Sequence, residues 1–83
     1  MYYAYVLENL EGRFYVGSTN DLHQRLDEHN AIDPTGRKYT AKNGPWRIVW
    51  SELHPTRSAA MVREKQIKSM KSARWIRERL LNR

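Results

Sequence analysis

The chain has no cysteine among its 83 residues, so it can form no disulfide framework, no thiolate zinc site and no thiol nucleophile. Any metal must be held by oxygen or imidazole. No apolar run approaches the ~18 residues that span a bilayer, and the start, Met1-Tyr2-Tyr3-Ala4-Tyr5, has no basic leader ahead of a long apolar stretch. A cytoplasmic protein is expected. Acidic residues are scarce, nine Asp+Glu against 15 Lys+Arg for a net charge of +6. That balance points to a polyanionic partner, with nucleic acid ahead of a membrane surface. Gly and Pro are also few, at four and three, and no linker appears; a chain of 83 residues leaves room for only one domain, spanning 1–83.

Aromatic residues are plentiful for this length: five Tyr, three Trp and one Phe. They argue for a packed core and against disorder. Tyr2–Leu7 and Arg13–Ser18 read as strands around the turn Glu8-Asn9-Leu10-Glu11-Gly12. A loop symmetric about Leu10 sets Tyr5 opposite Tyr15 and Tyr3 opposite Gly17. Asn20 can cap a helix with Asp21 in its first turn, in which Leu22, Arg25, Leu26 and His29 share one face. Residues 30–45 read as a basic loop. Trp46–Ser51 alternates as a third strand, and Thr56 can cap a helix reaching about Lys71, with Ala60, Glu64, Ile67 and Met70 or Lys71 on one face. Ser72 can cap a last helix carrying Trp75, Ile76, Arg79 and Leu80. The order ββαβαα predicts an α+β domain, a three-stranded antiparallel sheet flanked by helices.

Several residues invite a chemical reading beside a structural one. Facing strand tyrosines are common packing units, yet Tyr5 and Tyr15 can also orient water or a phosphate. A phenol titrating near 10 needs a cation nearby to act as a base. Arg25 and His29, spaced i, i+4, can supply a phosphate grip and a proton acceptor, or simply cover Leu22 and Leu26 and end a helix. Glu64 interrupts an otherwise apolar helical face, so its carboxylate needs a salt bridge or a divalent ion. Arg37, Lys38 and Lys42 in the loop, with Lys65, Lys68 and Lys71 on the second long helix, can meet phosphate backbone or form a solvated face. His23 and His54 have no ligand spacing to a partner.

Taken in order, Tyr3-Ala4-Tyr5, Tyr15-Val16-Gly17, Gly17-Ser18-Thr19-Asn20-Asp21-Leu22, Arg25-Leu26-Asp27-Glu28-His29-Asn30 and Arg63-Glu64-Lys65-Gln66-Ile67-Lys68 resemble the GIY-YIG nuclease superfamily. The resemblance is to its short, stand-alone single-domain members, which are similar to the N-terminal nuclease domain of the bacterial repair excinuclease. It spans nearly the whole chain and implies the same α+β fold. It further implies a metal-dependent DNA endonuclease of low sequence specificity, serving DNA repair or recombination, with one divalent ion, Mg²⁺ or Mn²⁺, on Glu64. Arg25 would hold the scissile phosphate, Tyr5 or His29 would be the base, and Tyr15 would complete the site. Tyr3 and Ala4 stand where the family name has Gly and Ile, and only Asn82 offers a match to a late Asn of larger members. A non-cleaving nucleic-acid-binding module and a component of a larger repair complex are the alternatives.

Overall fold

Asn9 decides the first turn. Its side-chain carbonyl accepts from the amides of Glu11 at 3.0 Å and Arg13 at 2.8 Å, and Gly12 turns the chain at φ 78°, a conformation that costs a glycine little. The loop is therefore shorter than expected. In this computed structural model, which describes residues 1–31 and 43–83, β1 (Tyr2–Asn9) and β2 (Phe14–Thr19) pair with Tyr5 opposite Gly17, Leu7 opposite Tyr15 and Tyr3 opposite Thr19. The expected pairing of Tyr5 with Tyr15 and of Tyr3 with Gly17 is corrected by two residues. Because the shift is even, Tyr5 and Tyr15 still share one face.

The third strand, β3 (Trp46–His54), is longer than expected and lies on the other side of β1, giving the antiparallel order β2-β1-β3. A register shift between Val6 and Leu7 pairs them with Trp50 and Ile48, skipping Val49. The plain alternation read for this strand is thus broken by a bulge, which lets adjacent Val49 and Trp50 serve the same core cluster.

Helix α1 (Leu22–Asn30) is capped by Asp21, whose side chain accepts from the Gln24 amide, rather than by Asn20. Thr19 explains the shift, because its hydroxyl accepts from the Asp21 amide at 3.1 Å and holds Asp21 in the cap position. At the far end the Asn30 side chain accepts from the Trp46 amide at 2.6 Å and donates to the Trp46 carbonyl at 3.0 Å, tying α1 to β3. Helix α2 (Arg57–Ser69) starts at the expected cap, Thr56, and stops before Lys71, which takes φ 48°. Met70 and Lys71 therefore leave the helical face on which Ala60 and Ile67 are buried. Ser72 caps α3 (Ala73–Trp75), which widens at once into a π-helical turn, Ile76–Leu80.

The sheet separates two cores. Odd-numbered positions of β1 and β2, Tyr5, Leu7 and Tyr15, meet Leu22, Leu26, Trp46 and Ile48 under α1. Even-numbered Val6, Phe14 and Val16 meet Ile67, Trp75 and Ile76 under α2 and α3. The fold class and element order match the expectation from sequence.

Candidate nuclease site

Tyr5 sits on the central strand with only 1% of its surface exposed. Opposite it Gly17 has no side chain, and a Cβ there would lie 2.5 Å from the Tyr5 hydroxyl. The ring crosses β2 through that gap. Its hydroxyl ends 2.9 Å from Nε2 of His29, a buried pair. Tyr15 packs on the same imidazole, with ring centroids 4.7 Å apart, and its other flank meets Trp46 edge-on. The helical spacing that puts Leu22 and Leu26 into the core thus carries His29 to the two phenols, one turn beyond Arg25.

Burial raises the Tyr5 phenol above its ordinary value, and the neighbouring Arg25 guanidinium pulls against that rise. Burial also lowers His29, reinforced by the charge of Arg25 and opposed by Glu28. Near neutrality both groups are therefore uncharged, and the phenol O–H donates to Nε2 when the ring carries its proton on Nδ1. The Arg25 guanidinium is held charged by Tyr5 and by Glu28, to which it donates at 2.7 Å.

Glu64 reaches the sheet from the opposite side. Oε1 accepts from the Ser18 hydroxyl at 2.7 Å and Oε2 pairs with Lys68, leaving the side chain 20% exposed. It acts on the Tyr5 phenol as a charge rather than by contact. The structure thus joins Tyr5, Tyr15, His29 and Arg25 on one face, with Glu64 bonded to Ser18 of β2 from the other. Lys65 and Lys71 lie exposed on and just after α2, and Lys68 is committed to Glu64. Arg37, Lys38 and Lys42 lie outside the described residues. Asn82 adjoins Arg83, which binds Glu8 near the hairpin turn.

Two residues were missed from sequence. Ser18 reads as a plain strand residue, although alternation already places it on the face opposite Tyr15, where α2 packs. Arg57, just after the Thr56 cap, shares a cleft with Arg25 and Ser18, which only the packing of α2 against β2 could reveal.

A GIY-YIG catalytic-domain model matches residues 1–78. The chain belongs to this family, a family of nucleases. Within it, the chain is 43% identical over 68 residues to a UPF0213 protein of Haloquadratum walsbyi, covering 82% of this chain and 74% of that protein. It is 40% identical over 73 residues to a UPF0213 protein of Halobacterium salinarum, covering 88% and 92%. A solution NMR structure of a UPF0213 protein from Bacillus halodurans is 36% identical, with TM-score 0.48 over 83% of this chain and 72% of that one.

Proposed function

We propose that this protein is a divalent-metal-dependent endonuclease that hydrolyses DNA phosphodiester bonds with little sequence preference. The observation that carries the reading is the buried contact between the Tyr5 hydroxyl and His29, with Arg25 beside it. A neutral phenol hydrogen-bonded to a neutral imidazole can take a proton from water at its oxygen while passing its own to Nε2. His29 is suited to receive it because it is held uncharged near neutrality. This assigns Tyr5 the contact with water and His29 the final acceptance of the proton. Beyond the donors engaged with Glu28 and Tyr5, the Arg25 guanidinium keeps others to hold the scissile phosphate.

The donor set around Glu64 suits a hard cation. It offers one partly buried carboxylate, a hydroxyl oxygen 2.7 Å away at Ser18 and a flexible ammonium as the present counter-charge. Among the described residues no group of three or more His, Asp or Glu gathers. A site built on the Glu64 carboxylate among the described residues would suit an ion that retains several waters, as Mg²⁺ does. When bound, such an ion supplies Lewis-acid stabilisation of charge on the phosphate and leaving oxygen. Ser18 fixes one carboxylate oxygen, and a bound cation would take the place of the Lys68 ammonium on the other.

The test is cleavage of supercoiled plasmid and single-stranded DNA with Mg²⁺ or Mn²⁺, with EDTA and Glu64→Ala as controls. Metal-dependent cutting that disappears in Glu64→Ala is expected. DNA bound but left intact by the wild-type protein would replace this reading with a non-cleaving binding module.

A further inference from the structure

A cleft of about 410 Å³ opens between the starts of α1 and α2 and shares Arg25 and Ser18 with the site above. Its volume falls within the ~300–1,000 Å³ usual for ligand sites. The charges that line it are almost all spoken for. The Asp21 carboxylate caps α1 on the Gln24 amide. Glu28 accepts from Arg25 at 2.7 Å and from Gln24 at 3.3 Å. Arg57 lines the same cleft from α2, is exposed, and forms no side-chain hydrogen bond or ion pair among the described residues. Nor does the helix call for it, since a cation in a first turn faces the positive end of the peptide dipoles.

We propose that this cleft holds the sugar-phosphate next to the scissile one, with Arg57 contacting that neighbouring phosphate from the helix facing Arg25. The inference rests on the nuclease reading for the phosphate at Arg25. Its ligand class is a nucleic-acid strand, bound by a contact that reads charge and spacing rather than sequence. Arg57 adds a second point of attachment, which aligns the strand as well as attracting it.

The test is fluorescence anisotropy of a labelled single-stranded oligodeoxynucleotide in EDTA over a salt series, with wild type, Arg57→Ala, Arg57→Lys and Arg13→Ala. Arg13 is exposed at the hairpin turn, at the other end of the sheet, so its variant makes the same change in net charge away from the cleft. Arg57→Ala is expected to weaken binding about three- to tenfold and to flatten the slope of log K against log salt by about 0.7, one single-strand phosphate contact. Arg57→Lys should keep the wild-type slope, and Arg13→Ala should change it by less than half as much. Equal effects of Arg57→Ala and Arg13→Ala, or a wild-type slope in Arg57→Ala, would overturn the proposal.

Cleavage by Glu64→Ala separates the two readings. A flattened slope in Arg57→Ala alongside undiminished cutting by Glu64→Ala keeps the cleft and removes the site assignment. A wild-type slope alongside an inactive Glu64→Ala does the reverse, and wild-type protein that binds no DNA removes both.

Discussion

Two carboxylates at opposite ends of the sheet each have two partners, and the difference between them separates a structural acid from an available one. Glu8, near the hairpin turn, has 9% of its side chain exposed and accepts from Arg47 and Arg83, each at 2.9 Å. Arg83 and, second to it, Arg47 hold its carboxyl below the usual range against the opposing effect of burial. Glu64, at the other end, is shared between a hydroxyl and one lysine ammonium. Guanidiniums donate in fixed planar pairs, whereas an ammonium on a four-carbon stem is readily exchanged for another cation. The cavities beside them follow the same division. Each measures about 410 Å³, yet the arginines lining the Glu8 cavity are both paired to Glu8, while Arg57 in the other is not. Having partners does not make a carboxylate structural; being sealed from water between two guanidiniums does.

The strongest way to break this contrast is to neutralise each acid and follow both readouts. Glu64→Gln is expected to lower cleavage about a hundredfold or more with an unchanged melting temperature, because the change touches no fully buried pair and removes the charge proposed to hold the metal. Thermal unfolding together with plasmid nicking checks this, and a large drop in melting temperature would make Glu64 structural after all. At the same end, Gly17→Ala pushes the Tyr5 hydroxyl off His29, and a displacement of about 1 Å can cost on the order of a hundredfold in rate. Single-turnover kinetics would register it, and wild-type rates would show that the tyrosine placement is immaterial.

Glu8→Gln should behave in the opposite way. Loss of a buried charged acceptor costs about 2 kcal/mol, lowering the melting temperature by roughly 8–16 °C at this chain length, while cleavage per folded molecule stays the same. The acid limb sharpens the point. A carboxyl depressed in the folded state contributes stability that is complete above its ordinary value of about 4.3 and is lost as pH falls through the folded value. Unfolding free energy from denaturant titrations should therefore fall more between neutrality and pH 3 for wild type than for Glu8→Gln.

The smallest effect concerns His29, whose folded value is depressed chiefly by burial and then by Arg25. The unfolded chain takes up a proton near its ordinary value of about 6.5, before the folded one does. Stability should thus decline gently as pH drops below that value, and activity should fall once the folded ring protonates. An NMR titration of the His29 ring should give a midpoint below about 6.5; one above it would contradict a neutral acceptor beside Tyr5.

Element order and face assignment were legible because strand alternation and the i, i+4, i+7 pattern of Leu22, Leu26 and His29 are local signals. Hairpin register was not, since it turns on the Asn9 side chain accepting from two amides, a contact that shortens the loop without marking the composition. The parity of the shift is why the convergence of Tyr5 and Tyr15 survived the error. Ser18 and Arg57 were invisible for a different reason. Each gains its meaning from α2 crossing the end of β2, a contact between residues 46 positions apart in the case of Ser18 and Glu64. The bulge at Val49 similarly answers to the packing of both faces of the sheet rather than to its own neighbours.

The clasp on Glu8 also ties the hairpin to parts of the chain far from it in sequence. The acid is made early, on the strand that becomes the middle of the sheet, and the two arginines that neutralise it follow 39 and 75 residues later. A hairpin of β1 and β2 alone therefore leaves that carboxylate without either guanidinium, since these arrive with β3 and with the segment after the π-helical turn. The hairpin end of the sheet is thus closed by groups distant in sequence, and its burial depends on the rest of the fold being in place.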